Sequence, residues 1–298
     1  MTSKDKPLHP LAEVFGFPPD NFSDRAKRYR RSKLCPYYNR VPSCTKDKAK
    51  APLGVCSIKT NDGLAITCPV RFRQDWLIAE DAAAFFFPES AQWTSLTEVR
   101  INDADGKSAG NIDVVLVAYD DRGQIVDFGS LEVQAVYISG NIRRPFEFYM
   151  ENPEERCAMD WSKHPYYPRP DYLSSSRKRL APQLIYKGGI LDAWNKKMAV
   201  ALHRGFYDTM PKLPEVPPEL ANLAWLVYDL LYDETRDMYQ LTPWRTIYTQ
   251  FKPALKTLTT PEPGPIEEFL EYLQSKLDEH LEDNNSPDAP VLTDILEV

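Results

Sequence analysis

Apolar and polar positions alternate most clearly between residues 111 and 138. NIDVVLVAY (111–119) is a β-branched run suited to a buried strand. DDRG (Asp120 to Gly123) reads as a turn, with Asp at its start and Gly at its end. Beyond it, Leu131, Val133 and Ala135 alternate with Glu132 and Gln134, so the pattern predicts a hairpin. A second hairpin is predicted in AWLVYDLLYDETRDMYQLTPW, folded at DETR. Helical spacing is read in HPLAEVFGF near the N-terminus and in ILDAWNKKMAVALH (Ile190 to His203). It recurs after Pro265, where Ile266, Phe269, Leu270, Leu273, Leu277 and Leu281 share one face.

The 298 residues are 43% hydrophobic and 27% charged, ordinary values for a folded soluble chain. No apolar run approaches the roughly 20 residues that span a bilayer, and the N-terminus lacks a secretory pattern. A cytoplasmic setting without membrane contact is therefore expected. The net charge of −7 is unevenly spread: from Pro261 onward there are eleven Asp/Glu and one Lys, leaving 35 basic against 32 acidic residues before it. Within that mildly basic body, Arg25, Lys27, Arg28, Arg30, Arg31 and Lys33 fall within nine positions. Such a cluster can track phosphates, and a solvated helical face has the same composition.

Two carboxylates interrupt the first hairpin. A two-residue turn on Asp121 and Arg122 would pair Asp113 with Ser130 and Asn111 with Glu132, placing Asp113, Glu132 and Gln134 on one face. A bulge at Gly129 would break that parity. Carboxylates among Val, Leu and Ile are costly unless paired or bound to a cation, and hard Mg²⁺ takes oxygen ligands. A polar, solvent-facing sheet surface gives the same pattern. An Asp on one strand followed by E-x-[K/Q] on the next resembles the PD-(D/E)XK nuclease superfamily. More narrowly, FGSLEVQAVYISGN is similar to the active-site strand of the NotI-like restriction endonucleases, which carry Gln where most relatives have Lys. Glu98, fifteen residues before Asp113, matches the spacing of that family's additional acid. The resemblance implies Asp113 and Glu132 as Mg²⁺ ligands, Gln134 in place of the lysine, and Glu98 as a supporting acid. The motif's proline is replaced by Ile112.

Cys35, Cys44, Cys56 and Cys68 are separated by eight, eleven and eleven residues, unlike the CxxC pairs of zinc ribbons. Four thiolates suit a tetrahedral site for a soft metal, and scattered buried cysteines are the alternative. The same family has an N-terminal domain in which four cysteines hold a single iron, so the resemblance implies structural Fe, with Zn as substitute. Cys157 lies outside the spacing.

Together these readings predict an α/β protein: a PD-(D/E)XK restriction-endonuclease-like mixed sheet flanked by helices, behind a small four-cysteine metal-binding domain. The expected division is 1–78 (N-terminal helix, basic segment and metal-binding domain), 79–283 (nuclease core with DNA-recognition elements) and 284–298 (acidic flexible tail). The implied activity is type II restriction, hydrolysing both strands of duplex DNA at a GC-rich palindrome containing GGCC and leaving 5′-phosphate ends. A homodimer and a functionally linked cognate DNA methyltransferase are implied as partners. Arg25, Arg28, Arg31, Lys46, Arg71, Arg143 and Arg144 are the candidate DNA contacts, joined more loosely by Lys48, Lys50 and Arg73. The four histidines show no catalytic clustering, and Trp161 to Tyr172 reads as packing or a dimer contact. The rival readings are a non-catalytic DNA-binding or regulatory protein built on the four-cysteine module, and a nuclease of repair or mobile-element type.

Overall fold

The computed structural model describes residues 7–38, 43–47 and 50–282. The expected tail 284–298 and Lys48 lie outside these described residues. The chain divides into two units, residues 1–259 and 260–298.

In the first unit, the N-terminal apolar run forms strand β1 (Leu11–Val14) rather than the expected helix. The reason is tertiary. All four residues are buried, and the strand pairs antiparallel with β2 (Val55–Thr60), which pairs in turn with β3 (Gly63–Ile66). Helix α1 (Asp24–Arg31) is capped by Ser23, whose side chain accepts from the Ala26 N–H. Asp24 lies in its first turn and Arg28, Arg30 and Arg31 in its last, the polarity that favours the helix dipole.

Six strands make the main sheet: β4 (Trp93–Asn102), β5 (Ser108–Tyr119), β6 (Ile125–Gln134), β9 (Met198–His203), β10 (Leu223–Asp233) and β11 (Met238–Thr249). Between β6 and β9 a short ribbon pairs β7 (Tyr137–Ser139) with β8 (Arg169–Asp171). The spatial order is β11-β10-β9-β6-β5-β4. β6, β9 and β10 run parallel in the centre, and antiparallel hairpins close both sides. The second predicted hairpin is β10–β11. MAVALH, expected to be helical, is instead β9. Every one of its residues is buried, and an apolar run covered on both faces carries no period that separates helix from strand.

Helices cover both faces. Helix α2 (Leu77–Phe86) packs Ile78, Ala79, Ala82 and Phe86 against Val114, Leu116 and Leu131 on one side. The helical segment 172–193 lays Leu180, Leu184 and Leu191 on the other, beside Phe251 and Ala254 of the helix Phe251–Thr259. Each such fully buried Leu or Val contributes about 1.5–3 kcal/mol of transfer free energy. Helix α3 (Arg143–Glu151) supplies Phe146 and Tyr149 to the core beneath β1–β3.

The second unit contains the helix Ile266–Glu282, which starts after Pro265 with Glu267 and Glu268 in its first turn.

Candidate active site

The β5–β6 hairpin differs from the predicted register by two. Val114 pairs with Leu131, Val115 with Ser130 and Leu116 with Gly129. The turn is longer than two residues: Asp120 N–H donates to the Gln124 carbonyl, and the ladder shifts between Ala118 and Tyr119. An even shift preserves which face each residue occupies along the paired stretch from Val114 to Ala118. It also sets Asp113 opposite Glu132 rather than Ser130. The irregularity is not at Gly129, whose missing side chain has another cause: a Cβ there would lie 2.3 Å from the Phe86 ring of α2.

At Asp113 the strands part. The β5–β6 pairing stops at Val114 and Leu131, and the next N–H, that of Val133, donates to Asp113 Oδ2 at 2.8 Å. On the other side of β5, Thr97 pairs with Val114 and Val99 with Ile112, so Glu98 stands across from Asp113. Glu98 has a left-handed backbone (φ 57°), unusual for a strand residue other than glycine. The pleat reverses at this point. Ile112 joins the core under segment 172–193, whereas Val114 joins the core under α2. Three acids therefore lie side by side on three adjacent strands, at a break in the sheet.

Their environments differ. Glu98 is exposed, Asp113 is partly buried and Glu132 is fully buried. Burial, then the Asp113 carboxylate beside it, pushes the Glu132 carboxyl up to about 8, against the opposing pull of Lys187. Lys187 Nζ donates to Glu132 Oε2 at 2.6 Å and to the Asn111 carbonyl at 2.8 Å. Glu132 Oε1 is buried with no hydrogen-bond partner among the described residues. Two acceptor oxygens that meet in a buried place are satisfied only by a proton or a cation. Gln134, also buried, turns its Nε2 onto the Ala135 carbonyl at 2.8 Å.

Lys187 was not among the residues singled out from the sequence, though a signal was present. It stands in the buried stripe of Leu180, Leu184 and Leu191, where a lysine is costly unless paired. Among the described residues no three His, Cys, Asp or Glu side chains converge as an assembled metal site. Asp113 and Glu132 alone would need water or phosphate oxygens to complete an ion's shell.

The cysteines arrive in two pairs. An isolated bridge between Leu34 and Ser43 brings Cys35 near Cys44, and the β2–β3 ladder brings Cys56 near Cys68. None forms a disulfide. Burial raises the Cys35 thiol to about 11, and the neighbouring Cys68 and Cys44 add to the cost of ionising it. Burial likewise raises Cys44 and Cys56, each with Cys68 close enough to contribute. Cys157 lies apart, its thiol 3.3 Å from the Glu154 carbonyl.

The candidate DNA contacts divide. Arg25, Arg28 and Arg31 are exposed on α1, and Arg144 is exposed on α3. Arg143 pairs with Asp47 and Glu147. Lys46 is held by the Val55 carbonyl at 2.6 Å and by Thr67. Arg71, expected to face DNA, is fully buried and bonded through Nε to both oxygens of Glu13 at 2.9 and 3.0 Å. It braces the small sheet and presents no charge to solvent.

No curated protein gives a significant match to the chain. The family model described as restriction endonuclease NotI matches residues 20–241, from just before α1 into β11. That stretch covers well over half the chain and contains all three acids, Gln134 and Lys187, and so the protein belongs to the NotI restriction endonuclease family.

Proposed function

We propose that this chain is a Mg²⁺-dependent type II restriction endonuclease in which Asp113 and Glu132 are the ligands of the catalytic ion. The observation that carries this reading is the meeting of these two carboxylates at a break in the sheet, with Glu132 Oε1 buried and without a partner among the described residues. Oxygen donors of this kind suit a hard divalent cation. Mg²⁺ held by these residues would supply a more acidic water and charge stabilisation on the phosphate and the leaving 3′ oxygen. Asp113, braced by the Val133 N–H, presents its remaining oxygen. Glu98, across β5, supports the ion or its water. Gln134 carries no charge and serves by hydrogen bonding to water or substrate.

The reaction hydrolyses both strands of duplex DNA at a short GC-rich palindrome containing GGCC and leaves 5′-phosphate ends. A homodimer fits the two-fold symmetry of such a site, and a cognate methyltransferase protects the host's own copies. Arg25, Arg28 and Arg31 on α1, with Arg143, Arg144 and Lys46, contact DNA. Cys35, Cys44, Cys56 and Cys68 hold a structural Fe, with Zn as substitute. Burial keeps the Cys35, Cys44 and Cys56 thiols from ionising, and with Cys68 they make a donor set that a soft cation would deprotonate and neutralise. The Cys site and the strand core remain separate in role, the first closing the N-terminal segment and the second cutting.

Plasmid DNA incubated with the purified protein and Mg²⁺ tests the reading. Discrete fragments are expected from the wild type and intact plasmid from Asp113→Ala. Smearing or nicking would point to a nuclease of another kind, and intact plasmid throughout would leave only a DNA-binding protein. Elemental analysis of freshly purified protein decides between iron, zinc and an empty cysteine cluster.

A further inference from the structure

We infer that Lys187 is a positioning residue of the cleavage site: its ammonium clamps one oxygen of Glu132 so that the other is left for the metal ion. The inference rests on the reading of Asp113 and Glu132 as the ion's ligands. It comes from an element that the two-strand motif does not include.

Segment 172–193 contains two wider π turns, Ser176–Leu180 and Leu184–Gly188, and Lys187 lies in the second. A π turn inserts an extra residue into a helix and redirects the side chains that follow. Here the buried stripe of Leu180, Leu184 and Leu191 carries Lys187 onto the sheet, where it is only 3% exposed. Its stem passes over Gly110, whose φ is +118° and whose absent Cβ would stand 3.6 Å from Lys187 Cδ. At the tip, Nζ is fixed by the Asn111 carbonyl at 2.8 Å and Glu132 Oε2 at 2.6 Å. The amine thus bridges the two strands that bear the carboxylates.

This geometry assigns the two oxygens of Glu132 different tasks. Oε2 is neutralised and fixed, while Oε1 has no partner among the described residues. Gln134, on the same strand, supplies no charge, and its amide nitrogen is committed to its neighbour's carbonyl. The positive charge beside Glu132 therefore comes from the helical layer. A lysine suits the task because its charge sits on one nitrogen. An arginine fork would take both carboxylate oxygens, as bidentate pairs do, and would compete with the ion for Oε1.

The test compares the full-length wild type with Lys187→Gln and Lys187→Arg. Three quantities are read: Mn²⁺ binding without DNA by electron paramagnetic resonance, plasmid affinity in EDTA, and single-turnover cleavage at saturating Mg²⁺. Lys187→Gln is expected to weaken Mn²⁺ binding about tenfold and to slow cleavage about a hundredfold, the range for residues that orient a metal ligand. Plasmid affinity in EDTA should stay unchanged. Lys187→Arg keeps the charge, so it serves even where the Gln variant fails to fold. It should lose Mn²⁺ affinity and rate in the same direction, which a purely structural ion pair would not do. Wild-type Mn²⁺ affinity and cleavage in a folded Lys187→Gln or in Lys187→Arg would overturn the role given to Lys187 alone. A wild-type protein that neither binds Mn²⁺ nor cuts DNA would overturn the nuclease reading beneath it.

Discussion

Glu13 in the small sheet and Glu132 in the main sheet are both fully buried, and each sits against a cation. The difference lies in what remains unbonded. Glu13 Oε1 accepts from Arg71 Nε and the Tyr37 hydroxyl, and Oε2 accepts from Ser57 and the same Arg71 Nε. Arg71 in turn reaches Gln74 and the Tyr239 carbonyl, tying the small sheet to β11. That network is closed. Around Glu132, among the described residues, only Oε2 is bonded, and the nearest acid raises its cost further. A complete buried polar network braces a fold, whereas an incomplete one stores a demand that a ligand can meet.

The contrast can be broken in graded steps. Asp113→Asn should slow single-turnover cleavage on the order of a thousandfold while the protein stays folded, because the loss is of transition-state charge stabilisation. Arg71→Met should do the reverse, costing about 3–5 kcal/mol in denaturant titrations by leaving Glu13 buried without its cation. If Arg71→Met left stability unchanged, the closed network would not be structural. A subtler step uses pH. A glutamate in an unfolded chain titrates near about 4.3, whereas burial and Asp113 push Glu132 up to about 8 in the folded protein. Between those values the folded chain keeps a proton that the unfolded chain has lost. The stability linked to Glu132 is therefore complete below the unfolded value and falls as pH rises toward the folded one. In EDTA, melting curves of the wild type should lose ground to Glu132→Gln across that window, and Mg²⁺ at the upper end should restore it. Parallel curves for the two proteins would remove the electrostatic cost assigned to Glu132.

Smaller effects sharpen the comparison. Gly129→Ala should cost about 1–3 kcal/mol through overpacking on Phe86, with activity falling only as far as β6 shifts. Asp47→Ala, which removes one exposed partner of Arg143, should change stability by less than about 1 kcal/mol. If Arg143 meets phosphates, the same variant should tighten plasmid binding slightly at low salt.

How much of this was legible in the chain follows from what each residue's neighbours are. Asp113 and Glu132 could be placed near each other because both lie in one hairpin, whereas the break at Asp113, which ends the alternation of faces, has no local signature. The fifteen-residue interval from Glu98 to Asp113 likewise reflects a local hairpin, β4–β5. Lys187 lies 55 residues from Glu132: its place in the stripe of Leu180, Leu184 and Leu191 marks it as buried, but its partner is set by a crossover that no local pattern specifies. β1 carries no signal that separates strand from helix, because four apolar-rich residues beside Pro and Gly hold too little periodicity. Its strand state depends on β2, more than forty residues away. Arg71 looked like a surface cation because its partner, Glu13, lies in that same misread segment. Long-range partners, rather than local composition, account for each of these differences.

Asp113 and the Glu132 oxygen that Lys187 leaves unbonded are proposed to hold a divalent ion. Anomalous diffraction from a crystal of the DNA complex soaked in Mn²⁺ tests it most directly. A peak is expected between Asp113 and Glu132 Oε1, with Lys187 still on Oε2. Density for Mn²⁺ elsewhere, with these two carboxylates dry or sharing only a proton, would contradict it.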